Sequence, residues 1–250
     1  RSVSNLANFL EERGLILNPS KTHVLALHAS RRQPLLLNIE CNGNPLAQTT
    51  NARYLGLHLD TQLRWETQVA TITRKPSQKL TALRAIRSCL TEQQALLFYR
   101  SLILPDMLYG SNAFFSVLSA HQRHQLSVLD KRCIRCVANQ PFPSHTDPIY
   151  TRLGLIPIIQ NAHCKLRLLM LRIHTARISN LLSKRLRRQT EGVTRINDPN
   201  AYVVPATRRV SGDCRPLVSA VRLRNALPQE FKSLACHRSF KRLLKVYFYG

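Results

Sequence analysis

Acidic residues are scarce in this sequence: 13 Asp and Glu among 250 residues, against 37 Lys and Arg, for a net charge of +24 at pH 7. No two aspartates are adjacent, and the only neighbouring acids are Glu11 and Glu12. The eight glycines are scattered, which excludes a Gly-rich phosphate-binding loop. No apolar run approaches the roughly 20 residues of a membrane-spanning helix, and no signal peptide is visible. A local Ser-His-Asp or Cys-His motif is missing, as is any repeat of about 20 to 50 residues. The seven cysteines are odd in number and dispersed, at Cys41, Cys89, Cys133, Cys136, Cys164, Cys214 and Cys236. That pattern excludes the disulfide framework of a small secreted domain and fits a reducing compartment.

What is present is positive charge on a chain that is 44% hydrophobic, enough to build a core. The charge is uneven. Arg1 to Asp147 holds 17 basic and 9 acidic residues, whereas Pro148 to Gly250 holds 20 and 4, a net of +16 in a shorter length. Phosphate is the commonest partner for such an excess, so nucleic acid is the expected partner class and a membrane is not. The chain begins at Arg1 rather than Met, which predicts that it is a piece of something longer.

Periodicity divides the chain into two regimes. A short helix is expected after Ser2 or Ser4, with Val3, Leu6, Phe9 and Leu10 on one face and Gly14 as its stop. Asn18-Pro19-Ser20 turns the chain, and strands are expected at Val24 to Leu27, Leu35 to Cys41 and Tyr54 to Asp60, with a hairpin turn at Asn42-Gly43. Leu55, Leu57 and Leu59 alternate with Gly56, His58 and Asp60, the period of a half-buried strand. From Trp65 the pattern is helical. Pro76 should interrupt or kink it, at a cost of about 3 kcal/mol. Further helices are expected from Thr91-Glu92, around Pro105, over Ser119 to Ala138, over Ile158 to Arg188, and at Leu217 to Leu227 and Ser239 to Phe248. Gln140 to Pro148, with three prolines, is the best linker candidate. The fold class is therefore α+β, mostly α: a small antiparallel set followed by helices.

Several stretches, in order, carry a resemblance. GLILNPSKTHVLAL at Gly14 to Leu27, followed by ARYLGLHLD at Ala52 to Asp60, resembles the end of the palm of non-LTR retrotransposon (LINE) reverse transcriptases, where the two blocks are called motifs D and E. LFYRSLILPDMLYGS at Leu97 to Ser111 resembles that family's thumb. AVRLRNALP at Ala220 to Pro228 and SFKRLLKVYF at Ser239 to Phe248 resemble the tail of jockey-type elements. The resemblance implies a palm end over 1–62, a helical thumb over 63–140 and a basic helical C-terminal region over 141–250.

It also implies roles. Lys21 falls on the motif D lysine, which the family places near the incoming triphosphate and which could donate a proton to the leaving pyrophosphate. Tyr54, Leu55 and Gly56 fall on the primer grip, with Leu55 packing while the Gly56 backbone faces the primer. Arg53, Lys75, Lys79, Arg84 and Arg87 would meet the nucleic-acid backbone, as would Lys165, Arg167, Arg172, Lys184, Arg185, Arg187 and Arg188 in an acid-free C-terminal run. Read from the residues alone, each of these could equally be a solvated lysine or arginine, and Tyr54 to Gly56 strand core.

Polymerisation in that family needs Mg2+ held by converging carboxylates: one strand-end Asp and an adjacent Asp pair. This sequence has no such pair, and the resemblance places the missing one just before Arg1, as the Asp-Asp of an aromatic-x-Asp-Asp motif. The expectation is a piece with the primer grip and thumb of an RNA-directed DNA polymerase, binding RNA template, RNA–DNA hybrid and target DNA. On that reading no metal is bound by this segment, Mg2+ belongs to the parent enzyme, and the setting is the nucleus with a cytoplasmic ribonucleoprotein stage. A free-standing basic helical RNA- or DNA-binding protein is the alternative. The sequence departs from the family at Arg224, where the tail usually has Trp, at Phe114 and Phe115, which follow Tyr109-Gly110 where a Trp is common, and at Pro76. Cys133-x-x-Cys136, downstream of His121 and His124, has zinc spacing, but on a helix the two cysteines could be small core hydrophobes.

Overall fold

The computed structural model describes residues 2–28, 36–41, 43–175, 186, 201–205, 216–232, 234 and 237–249. Helix dominates, with a few short strands. The chain divides into two compact units, Arg1–Ala70 and Thr71–Gly250.

In the first unit α1 (Ser2–Glu11) ends at Gly14, whose φ of +70° admits the left-handed stop. Leu15 N–H then reaches back to the Leu10 carbonyl at 2.9 Å, closing the helix. The buried face differs from the expected one. Ala7 is buried and packs with Val3, whereas Leu6 and Phe9 are half exposed. Phe9 instead carries the Arg13 guanidinium, 3.6 Å from its ring centroid. Ala7 meets Cys41 and Leu46, with Leu17, Val24 and Ile39 around them, as the core of this unit.

The strands are shorter than expected and form three separate pairs. β1 (His23–Val24) pairs with β4 (Ala47–Gln48) in parallel, β2 (Glu40–Cys41) with β3 (Asn44–Pro45) antiparallel, and β5 (Asn51–Tyr54) with β6 (Leu57–Asp60) antiparallel. The expected set was antiparallel throughout. Its parallel member arises because β4 follows the β2–β3 hairpin directly and is held alongside β1, where the Thr49 N–H meets the Val24 carbonyl at 2.9 Å.

The division between units falls inside α2 (Glu66–Ile86), which runs unbroken through Pro76. The proline removes the N–H that would meet the Ile72 carbonyl, yet no break follows. Its ring is buried in line with Ile72, Leu80 and Leu83, so packing of that stripe outweighs the local defect.

In the second unit Thr91 starts α3 (Glu92–Phe98) with a reciprocal capping box to Gln94. A π-helical turn, Tyr99–Ile103, joins α3 to α4 (Leu104–Met107). Leu104 N–H reaches the Tyr99 carbonyl, and the wider turn relieves the clash that Pro105 would have with the carbonyl four residues back. After α5 (Ser111–Phe114), a second capping box, Ser119 with Gln122, opens α6 (Ala120–Val137). Phe114 and Phe115 are buried, their rings 5.6 Å apart. Then come α7 (Asp147–Leu153), α8 (Ile158–His174), α9 (Pro216–Asn225), α10 (Gln229–Lys232) and α11 (His237–Tyr249). The proline-rich 140–146 segment lies inside this unit, between α6 and α7.

α8 is the central helix, packed against α5, α6, α9 and α11. Leu166, Met170 and Ile173 join Leu186, Tyr202, Ala220 and Val221 on one side; Leu171 joins Leu227, Phe231, Phe240 and Leu244 on the other. A helix buried on several faces leaves little room for a solvated basic face. The Arg224 position holds a fully buried arginine that donates to the Lys232 carbonyl at 3.2 Å, its guanidinium 5.8 Å from the Tyr202 ring centroid. Beside it, Asn225 fastens the 201–205 segment by accepting from Tyr202 N–H at 3.0 Å and donating to the Tyr202 carbonyl at 2.7 Å.

Candidate nucleic-acid interface

The hairpin of β5 and β6 places Tyr54, Leu55 and Gly56. The expected continuous strand from Tyr54 to Asp60 is instead a reversal: Tyr54 pairs with Leu57, and Leu55-Gly56 is the two-residue turn. Both turn residues have positive φ, +47° and +79°, the geometry that suits the twist of a tight hairpin. Leu55 therefore does not pack in a strand core. It projects, 74% exposed, beside a Tyr54 that is 64% exposed. A leucine in the left-handed region costs roughly 1–2 kcal/mol, so an apolar side chain is held out at a strained tip next to a residue with no Cβ. Arg53, opposite His58, is exposed on the same hairpin. His58 N–H donates to the buried Gln68 Oε1 at 3.0 Å, anchoring the hairpin to the first turns of α2.

Lys21 ends a 3-10 turn, Pro19–Lys21, and is exposed. Asn18 organises that turn: its Oδ1 accepts from Ser20 N–H at 3.0 Å and Ser20 Oγ at 2.7 Å, and its carbonyl accepts from Thr22 Oγ1 at 2.8 Å. The lysine is thus carried on an ordered turn with its side chain in solvent.

The cations of α2 and of the 3-10 turn Arg87–Cys89 that follows it separate into two kinds. Lys75 and Arg84 are exposed. Lys79 is engaged within the fold, its Nζ 2.7 Å from Asp106 Oδ2 and 2.8 Å from the Leu102 carbonyl at the π-turn. Arg87 donates to three carbonyls, from Nε to Cys136 at 2.8 Å and from its two terminal nitrogens to Leu90 at 2.7 Å and Val137 at 2.9 Å. It caps the C-terminus of α6.

The C-terminal run divides similarly. Arg172 is exposed, Lys165 is half-buried, and Arg167 is buried, with Nε donating to the Leu223 carbonyl at 3.3 Å. Lys184, Arg185, Arg187 and Arg188 lie outside the described residues. Lys165 and Arg172, with Arg100 and Lys241, edge a cavity of about 580 Å³ whose floor is leucine-rich and whose lining holds no acid. Burial pushes the Lys165 ammonium down from its ordinary pKa, and the neighbouring Lys241 adds to the shift. The cavity suits an anionic group attached to an apolar body.

Two acids that the sequence reading passed over organise the structure. Asp60 accepts three backbone N–H groups, from Gln62, Arg64 and Trp65, at 2.8–3.0 Å, shaping the turn into α2. Asp130 is 1% exposed and accepts from the Tyr99 and Tyr150 hydroxyls, each at 2.6 Å, and from Ile158 N–H at 2.9 Å. One carboxylate thus joins the π-turn, α6, α7 and the start of α8. Desolvation raises its pKa, against the opposing pull of the two hydroxyls and the amide; burial and then the Asp130 charge raise both tyrosines, which stay protonated donors. The signal was in the sequence: Asp130 sits four residues after Leu126 and three before Cys133, on the apolar stripe of α6.

Cys133 is on that stripe too, fully buried, with burial pushing its thiol up; Cys136 is half-buried, and His121 and His124 are exposed. Among the described residues no three His, Cys, Asp or Glu side chains converge as a metal site needs. The described residues therefore offer no set of ligands that fits Mg2+ or zinc.

The chain is 25% identical over 156 residues, 61% of its length, to a Drosophila melanogaster protein described as "Probable RNA-directed DNA polymerase from transposon BS". The aligned part is 17% of that protein's length, so the chain spans about a sixth of it. The match supports the resemblance to retrotransposon reverse transcriptases drawn from the sequence. No family model matches the chain, and no solved structure matches it.

Proposed function

We propose that this chain is a segment of a retrotransposon RNA-directed DNA polymerase, supplying nucleic-acid binding and primer positioning rather than phosphoryl transfer. The observation that carries the reading is the 156-residue similarity to a transposon RNA-directed DNA polymerase. On this reading residues 1–62 are the end of the palm, with the Leu55-Gly56 tip as primer grip and Lys21 beside the incoming nucleotide. Residues 63–140 form the thumb and 141–250 a basic tail. A turn with an exposed Tyr54 and Leu55 and a Cβ-free Gly56 suits apolar contact with a terminal sugar and base and close backbone approach to a strand end. The exposed Arg53, Lys75, Arg84 and Arg172 supply sequence-independent phosphate contacts. Mg2+ and the aspartates that hold it belong to the parent enzyme, as do target DNA and the nuclear setting.

The test is binding and extension by the 250-residue chain. It should bind an RNA–DNA hybrid with a log binding constant that falls linearly against log salt, and should not incorporate nucleotides on a primed RNA template with Mg2+. Absence of salt-dependent binding overturns the nucleic-acid reading. Metal-dependent incorporation overturns the assignment of catalysis to the rest of the parent enzyme.

A further inference from the structure

A second pocket, of about 270 Å³, lies at the C-terminal end of α6. Its lining is Arg84, Arg87, Arg132 and Arg135 with Cys136, Asn139, Gln140 and Phe142, and it contains no acid. The ion pairs among the described residues, Arg13–Glu12, Lys79–Asp106 and Arg152–Glu92, use none of these four arginines.

Helix capping accounts for part of this charge. A helix C-terminus carries about half a negative charge, and Arg87, bonded to the Cys136 and Val137 carbonyls, already answers it. Arg135 is also fixed, its Nε donating to the Ser144 carbonyl at 2.8 Å. Those bonds use three of the five N–H groups of Arg87 and one of those of Arg135, so both guanidinium planes are held in place beside the pocket. Arg84 and Arg132 are exposed and add two more charges. Four guanidinium groups around one small space exceed what half a charge requires.

At the rim stands Phe142, 72% exposed. The Arg135 guanidinium is 5.4 Å from its ring centroid, which steadies the ring from one side and leaves most of its surface in solvent. Charge for a phosphate beside an aromatic face for a base is the pairing that single-strand binding uses, because a base can stack only once it is unpaired. The pocket is smaller than the 300–1,000 Å³ typical of drug-sized ligands, a size suited to one unit of a longer chain.

We propose that this pocket seats one unpaired nucleotide of a nucleic-acid strand, its phosphate on Arg84 and Arg132 against the fixed Arg87 and Arg135, and its base on the open side of Phe142. The proposal rests on the nucleic-acid reading above and adds to it a site for single strand as distinct from duplex. RNA and DNA share the recognised chemistry.

The test is fluorescence anisotropy with the full 250-residue chain and labelled 12-nucleotide RNA, DNA of the same sequence, and the corresponding RNA–DNA hybrid, over a range of salt. Phe142→Ala should weaken both single strands about five-fold or more, leave the hybrid within about two-fold, and be rescued by Phe142→Trp. The double variant Arg84→Ala/Arg132→Ala should flatten the single-strand salt slope by about 0.7, the loss of one phosphate contact. Unchanged single-strand affinity in both variants, with the parent chain still binding all probes, overturns this site and leaves the nucleic-acid reading standing. Equal losses on hybrid and single strand in Phe142→Ala overturn the stacking role. No binding of any probe by the parent chain overturns both. Phe142 is an exposed loop residue, so its variants decide the matter even where the double arginine variant lowers the melting temperature.

Discussion

The Asp60 carboxylate accepts the backbone N–H of Trp65 at 2.8 Å, and Trp65 is a buried aromatic held at a φ of +63°. A bulky residue rarely occupies that region. It is held there by Asp60, whose other oxygen takes the Gln62 and Arg64 amides, and by the Val69 N–H, which reaches the Trp65 carbonyl at 2.8 Å. Asp60→Ala should therefore destabilise the turn into α2 by about 1.5–3 kcal/mol, the range for hydrogen bonds to a charged group, with Asp60→Asn losing less. Trp65 is the only tryptophan in the chain, so its fluorescence reports the site directly. A red-shifted emission and a lower melting temperature are expected for Asp60→Ala; unchanged emission and melting would refute the role.

Asp130 is the corresponding junction of the second unit. Tyr99→Phe or Tyr150→Phe removes one donor and should cost about 1.5–3 kcal/mol each. Asp130→Ala leaves two buried hydroxyls and the Ile158 N–H without their shared acceptor and should cost more than either tyrosine change, above about 3 kcal/mol. Urea unfolding of the singles and of Tyr99→Phe/Asp130→Ala closes a double-mutant cycle, where strong non-additivity is expected. Additive losses would mean the hydroxyl and carboxylate do not act as one unit.

These two acids mark where sequence reasoning stopped. Helix existence was legible because spacing, Gly14, Thr91 and Ser119 all pointed the same way. The Leu55-Gly56 turn was hidden because a two-residue hairpin preserves the period of two, so leucines alternated straight through the reversal. The turn also begins with leucine, where Asn or Asp would signal it. The basic residues were legible as charge but not as individuals: Lys75 and Lys79 lie four apart on α2, yet one is in solvent and the other is paired with Asp106 through a contact 27 residues distant. Arg87 was legible as a charge but not as a helix cap, because the partners that fix it are backbone carbonyls, which no sequence pattern displays.

That difference between Lys75 and Lys79 is testable. Lys75→Ala should leave the melting temperature unchanged and reduce the salt slope of nucleic-acid binding by about one phosphate contact. Lys79→Ala removes a partly exposed ion pair and a bond to the Leu102 carbonyl, so it should lower stability by up to about 1 kcal/mol. A Lys75→Ala variant that melts early, or a Lys79→Ala variant with unaltered melting, would reverse the assignment.

His163, on the central helix α8, supplies a pH dependence with a definite sign. Burial lowers its pKa below the ordinary 6.5, and the positive charges of Arg167 and Arg123 lower it further. Between the lowered value and 6.5 the unfolded chain binds a proton that the folded chain does not, so stability rises with pH across that window and levels off above it. His163→Gln cannot titrate and should remove this contribution, flattening the melting temperature against pH just below 6.5. Arg123→Ala, at an exposed position, should raise the histidine pKa and narrow the window without abolishing it, because burial is the larger cause. Melting curves from about pH 5 to about pH 8, with the histidine followed by NMR titration, decide it: an imidazole that titrates at or above 6.5 in the folded chain refutes the prediction.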